Sequence, residues 1–217
     1  MNKELLNRFL SSLVLIPLII FVIIQGGVIF NLFLLISFFL TVLEWYNMSK
    51  KNNHYIPGIF FLLISYFSIY YLRNYSNADY LYFLFILLIC ISTDVGGYVT
   101  GKIIKGPKLS KISPKKTYSG MLGSFLFPII FSYFFLNNVF FNNSTTMSVE
   151  ILIFIICISG ISQLGDLVVS YFKRISNVKD TGKLIPGHGG ILDRIDGMIF
   201  AFPLSLIILL TKNISIF

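Results

Sequence analysis

The sequence predicts an all-α, polytopic transmembrane helical bundle of about seven spans with a cytoplasmic N-terminus. Three observations predict it. The 217-residue chain is 56% hydrophobic and only 12% charged, about half the charged fraction of a soluble domain. Several of its apolar runs approach the roughly 20 residues that a helix needs to cross a bilayer. Its lysines and arginines gather in alternate connecting segments, the bias that orients membrane proteins.

The spans run roughly Leu10–Ile24, Val28–Leu43, Ile59–Leu72, Tyr80–Ser92, Met121–Leu136, Ile151–Phe172 and Met198–Leu210. The first could be taken for a signal peptide. No small-residue cleavage site follows it, and a second apolar run starts almost at once, so it reads as a span. Gln25-Gly26-Gly27 supplies a turn that makes a hairpin of the first two. Pro17, Pro128 and Pro203 fall inside spans, where each removes a backbone donor that membrane helices can spare. The fourth span is short and ends at Ser92-Thr93-Asp94, where polarity rises sharply.

Basic residues sort by side on this layout. Lys3 and Arg8 precede the first span, and Lys50 and Lys51 follow the second. Lys102, Lys105, Lys108, Lys111, Lys115 and Lys116 follow the fourth; Lys173, Arg174, Lys179, Lys183 and Arg194 follow the sixth. Only Arg73 and Lys212, of 17 in all, fall on the other face. The polar segments 94–120 and 173–196 therefore share the cytoplasmic face, and the C-terminus lies outside. The net charge of +8 has orientation as its explanation. Nucleic-acid binding is excluded, because aromatic and basic residues do not interleave on any polar segment. Cys90 and Cys157 lie in apolar runs outside any CxxC pair and are expected to pack in the core.

The stretch Ser170–Asp196 concentrates both signs of charge in a chain that has little of either. Asp166, just before it, is an ionisable residue within a span, which is costly and calls for a partner or a polar cavity. It reads either as a metal ligand or as a helix-end carboxylate paired with Lys173 or Arg174. Asp193 and Asp196, spaced i, i+3, share one helix face. Two carboxylates that close repel unless a cation sits between them, and Mg²⁺ binds through one or two carboxylates plus substrate phosphates. Pro186-Gly187-His188-Gly189-Gly190 permits positive φ. It could point N–H groups at an anion, or it could be a flexible return loop. Asp94-Val95-Gly96-Gly97-Tyr98 and Ser113-Pro114-Lys115-Lys116-Thr117 form a further polar element. Its lysines suit phosphate oxygens.

SYFKRISNVKDTGKLIPGHGGILDRID closely resembles the signature of bacterial phosphatidate cytidylyltransferases (CDP-diacylglycerol synthases). Ser170, Lys173, Arg174, Lys179, Asp180, Pro186, Gly187, His188, Gly189, Gly190, Asp193, Arg194 and Asp196 fill its fixed positions. Ser113-Pro114-Lys115-Lys116-Thr117 looks like a second motif of that family and Gly165-Asp166-Leu167 like a third. Two positions depart from the pattern: Ser119 and Val169 stand where the family commonly has Glu. Because the family accepts a carboxylate there, Val169→Glu is expected to be tolerated.

The resemblance implies a single integral membrane catalytic domain over residues 1–217, in the cell's inner (plasma) membrane, with its active site on the cytoplasmic side. Its partners would be CTP, phosphatidate and membrane lipid, and a homodimer is a family expectation. The implied reaction gives CDP-diacylglycerol and pyrophosphate. Asp166, Asp193 and Asp196 would hold Mg²⁺, with room for a second cation. Lys173, Arg174 and Arg194 would bind phosphate oxygens at the reacting centre. Ser113, Lys115, Lys116, Thr117, Lys179, Asp180, His188, Gly189 and Gly190 would contact the substrates, with Asp94 as a further polar contributor. The alternatives are a CTP-dependent polyprenol-type lipid kinase, which releases CDP, and a transporter or scaffold with no nucleotide turnover.

Overall fold

A computed structural model describes residues 3–50, 55–74, 80–109, 113, 116–139, 147–185, 187 and 189–212, and the side chains of all of these except 3–12, 139 and 212. The described residues are helical with short connections. The helices are α1 (Lys3–Gln25), α2 (Gly27–Ser49), α3 (Tyr55–Asn74), α4 (Tyr80–Ile103), α5 (Tyr118–Val139), α6 (Val149–Ile175), α7 (Leu192–Ile195) and α8 (Met198–Lys212). The α2–α6 helices are long and apolar enough to cross a membrane. Two shorter apolar helices, Leu13–Gln25 and Met198–Thr211, flank them in sequence.

The surface is apolar where a water-soluble fold would be polar, and polar groups are buried beside the apolar core. The buried residues of α2 include Thr41, Glu44 and Ser49, while Val28, Leu32, Leu35, Phe39 and Leu43 are exposed. Those exposed positions recur at three and four residues, one stripe of the helix. An apolar stripe outside and polar groups within is the arrangement that hydrocarbon surroundings require.

The chain forms two compact units. The first comprises the residues up to Tyr80 together with Tyr171–Asp196. Gly26 (φ 61°) and Gly27 (φ 54°) make the turn between α1 and α2, a left-handed backbone that glycine adopts without Cβ strain. Arg73 secures that turn. Its Nε donates to the Ile23 carbonyl at 2.8 Å, and its guanidinium lies over the rings of Phe30 and Tyr80. The Thr41 and Tyr66 hydroxyls pair at 2.8 Å. Trp45 packs edge-on against Phe172 at 5.1 Å, which ties the end of α2 to the end of α6.

The second unit comprises Leu81–Ser170 and the chain from Gly197 onward. Its core is aromatic: Phe83 stacks on Phe202 at 4.9 Å, and Phe85 meets Phe135 and Phe154. The α4–α5 crossing is made by small residues. A Cβ on Gly120 would lie 2.8 Å from the Gly97 carbonyl oxygen, and one on Gly123 would lie 2.6 Å from that of Gly96. Small residues allow such backbone approach between membrane helices.

Two expectations need correction, and a third meets an opposing argument. The fourth span does not stop at Ser92. Helix α4 runs on to Ile103, because Ser92 and Thr93 donate to carbonyls of the preceding turn, Leu88 at 2.6 Å and Ile89 at 2.7 Å, and so satisfy their hydroxyls inside the helix. Asp94 and Gly96-Gly97 are therefore helical, and the two glycines serve the crossing with α5. Cys157 is exposed, so only Cys90 packs in the core. Val169 is 1% exposed. A carboxylate there would lose its water, so Val169→Glu is expected to reduce the yield of folded protein. Size-exclusion profiles of the detergent-extracted variant and parent check this; a wild-type profile would restore the expectation drawn from the family.

Candidate active site

In the first unit the last turn of α6 carries Lys173 and Arg174. The helix then stops at Asn177, which is left-handed (φ 55°). The Val178 N–H returns to the Lys173 carbonyl at 2.9 Å and the Asn177 N–H to that of Arg174 at 3.1 Å. This is a Schellman ending, with asparagine in the place glycine usually takes. It reverses the chain and leads the segment 178–191 back toward Lys173.

That segment closes on one carboxylate. Asp193 Oδ2 accepts the N–H groups of Thr181 (2.8 Å) and Gly190 (3.0 Å). Its Oδ1 meets the Lys173 ammonium at 2.9 Å, and the same ammonium stands 4.0 Å from Asp196 Oδ2. The i, i+3 spacing thus turns both carboxylates toward one cation, which here is Lys173. Burial would raise the Asp193 pKa. The Gly190 N–H, the Lys173 ammonium and the Thr181 N–H outweigh it and hold that carboxyl below its ordinary value.

The glycines shape this closure. Ile185 and Gly189 exchange N–H bonds at 2.9 and 3.2 Å. Gly187 (φ 77°) and Gly189 (φ 89°) have left-handed backbones. At Gly189 a Cβ would also lie 2.8 Å from Asp193 Oδ2 and 3.4 Å from Asp180 Cβ. The N–H groups of residues 189–192 are all used within the chain, by the Ile185 carbonyl, by Asp193 and by Glu44. Within this turn the Gly189 and Gly190 N–H groups are therefore not offered to an anion, contrary to the expectation for these two residues. Arg174, Lys179 and Arg194 are exposed around the same segment. Pro186 and His188 lie outside the described residues.

Sequence reading missed Glu44. It is 5% exposed in α2 and accepts hydrogen bonds from Ile191 N–H (3.0 Å), Leu192 N–H (2.9 Å) and the Thr181 hydroxyl (3.1 Å). The signal was present. A carboxylate next to an apolar span, in a chain with nine acidic residues, falls under the reasoning applied to Asp166.

In the second unit Lys116 Nζ pairs with Asp166 Oδ2 at 2.5 Å, and the Ser170 hydroxyl donates to Asp166 Oδ1 at 3.3 Å. The partner of Asp166 is thus Lys116, in place of the Lys173 or Arg174 that a helix-end reading would supply. Lys116 is held by its own backbone. Its N–H reaches the Ser113 carbonyl at 3.1 Å, and its carbonyl accepts from Leu109 N–H at 2.8 Å. Thr117 caps α5, with its hydroxyl accepting the Gly120 N–H at 3.1 Å. Ser119 bonds the Lys105 carbonyl. Asp94 is exposed on α4. Lys115 lies outside the described residues. Among the described residues no three His, Cys, Asp or Glu side chains gather to hold a metal ion.

The described residues thus combine several helices long and apolar enough to cross a membrane with a charged loop folded on one aspartate, the class of a helical membrane protein with a polar site. Residues 59–211 match the model of the cytidylyltransferase family. The phosphatidate cytidylyltransferase of Rickettsia conorii is 38% identical, over 94% of this chain and 90% of that protein. The protein of that name from Rickettsia felis is 38% identical over 93% of this chain and 91% of its own length. That of Staphylococcus haemolyticus is 36% identical over 96% and 85%. This chain belongs to the cytidylyltransferase family and is a nucleotidyltransferase.

Proposed function

We propose that the chain joins CTP and phosphatidate to form CDP-diacylglycerol and pyrophosphate, as an inner-membrane step of phospholipid synthesis. The observation that carries this is likeness along nearly the whole chain, 38% over 94% of it, to a protein named for that activity. A phosphate oxygen of the lipid would attack the α-phosphorus of CTP. The bond from that phosphorus to the bridging oxygen would break, and pyrophosphate would leave. The attacking oxygen is already an anion near neutral pH, so no strong base is required. The difficulty is bringing two polyanions together, and fixed cations address it. Lys173, Arg174 and Arg194 supply them in the first unit. Lys116, braced by its backbone bonds and by Asp166, supplies one in the second.

A Mg²⁺ ion would neutralise charge on the attacking and leaving groups. Asp193 and Asp196 suit it, since both carboxylates already face one cation, the Lys173 ammonium. Mg²⁺ is usually content with one or two protein carboxylates beside substrate phosphates. Asp166 is the further ligand proposed from the family resemblance. The topology we propose has seven spans, the N-terminus and both polar segments cytoplasmic, and the chain acting as one catalytic domain.

Purified protein in mixed micelles with phosphatidate, labelled CTP and Mg²⁺ tests the reading. CDP-diacylglycerol and pyrophosphate in equal amounts are expected. Release of CDP with phosphorylated lipid would assign a kinase, and no turnover of CTP would overturn the proposal.

A further inference from the structure

We infer that Glu44 is a positioning residue for the reaction proposed above, on which the inference rests: from α2 it sets the register in which the segment 181–192 closes around Asp193. Glu44 and Asp193 divide the same two stretches of backbone between them. At Thr181 the N–H goes to Asp193 and the hydroxyl to Glu44. At residues 190–192 the first N–H goes to Asp193 and the next two to Glu44. The Glu44 bonds join parts of the chain 137 to 148 residues apart, so no local preference of the loop supplies them.

The loop is built to receive this side chain. A Cβ on Gly190 or on Gly182 would run into the Glu44 carboxyl group, so glycine at both positions makes the close approach possible. A carboxyl group buried in an apolar helix is costly unless its oxygens find donors. Three donors are present, and all come from the loop. Slippage of 190–192 by one residue would leave Glu44 short of donors and carry Asp193 away from Lys173. Glu44 hydrogen-bonds Thr181, Ile191 and Leu192, none of them assigned to the substrates, so its effect passes through Asp193. A displacement of about 1 Å at a reacting group costs roughly 100-fold in rate.

Glu44→Gln tests this, because the variant keeps size and replaces one acceptor oxygen with a donor. Activity in mixed micelles is measured beside hydrogen–deuterium exchange and the unfolding midpoint in detergent. We expect kcat to fall about 100-fold, faster exchange confined to 181–193, and an unfolding midpoint close to that of the parent. Unchanged exchange in 181–193 would overturn the inference, and so would fast exchange there with full kcat. Should Glu44→Gln fail to insert, Thr181→Val removes one of the three bonds. It is expected to shift both readouts in the same direction by less, with Thr181→Ser restoring them; parental behaviour in Thr181→Val would then overturn the inference. A parent protein that makes neither product sinks the functional reading alone, because the exchange measurement still decides what Glu44 holds.

Discussion

Asp193→Ala is expected to abolish CDP-diacylglycerol formation, a loss of about 1,000-fold or more if the carboxylate organises the reacting charges, while the protein still inserts and elutes as the parent does. The size of the effect follows from what the side chain gathers. It joins the end of α6 through Lys173, the start of the loop through Thr181 and its return through Gly190. Its removal leaves two N–H groups without an acceptor, each worth about 1–3 kcal/mol when buried. Lys173, whose side chain is 11% exposed, would keep only Asp196 at 4.0 Å. The loop must then rearrange, but the helices that bury the apolar core need not. Because the Asp193 pKa is depressed, its contribution to stability is present above the unfolded value of roughly 3.9 and is lost as the pH falls through the lower folded value. Acidification around neutral pH therefore does not mimic the variant. Labelled CTP in mixed micelles gives the rate and size-exclusion chromatography the insertion; full activity in Asp193→Ala would remove this residue from the mechanism.

Much of this architecture is legible from hydropathy and turn chemistry. The α1–α2 turn falls at the glycines that mark it, and the three internal prolines sit inside helices. Hydropathy misplaced the end of α4 for a physical reason. It scores Ser92 and Thr93 as polar, whereas their hydroxyls are already bonded to the helix itself. The Gly96-Gly97 pair was open to misreading in the same way, since a glycine pair suits a loop or a helix crossing and only the partner helix decides between them. The signature segment was legible as a site, but its internal wiring was not. The spacing of Asp193 and Asp196 predicts a shared face. It does not predict that Lys173, twenty residues earlier, stands between them. Nor does it predict that Glu44, well over a hundred residues away, takes the N–H groups of Ile191 and Leu192 just after the glycine turn. Long-range acceptors of this kind leave no periodicity behind.

The same substitution at two helical glycines of the second unit should have opposite signs, and the contrast tests the helix crossing directly. In a helix interior Gly→Ala ordinarily stabilises by about 1 kcal/mol, since alanine gives up less backbone freedom. At Gly160 nothing opposes that gain: the new Cβ would lie 3.8 Å from a Phe125 ring carbon, an ordinary contact. At Gly123 the Cβ would lie 2.6 Å from the Gly96 carbonyl oxygen and 2.5 Å from Thr100 Cγ2. Thr100 has little freedom to yield, because its hydroxyl is bonded to the Gly96 carbonyl at 2.7 Å and to that of Ser119 at 3.1 Å. A backbone carbonyl inside a helix cannot swing away, so relief requires α4 and α5 to move apart along their crossing. Overpacking of this kind typically costs about 1–3 kcal/mol and sometimes more, and here the loss of neighbouring Gly97–Gly120 contact adds to it. Gly123→Ala is therefore expected to lower the denaturation midpoint in mixed micelles markedly, and Gly160→Ala to hold or raise it. Equal shifts in the two variants would mean that α4 and α5 do not approach through these glycines.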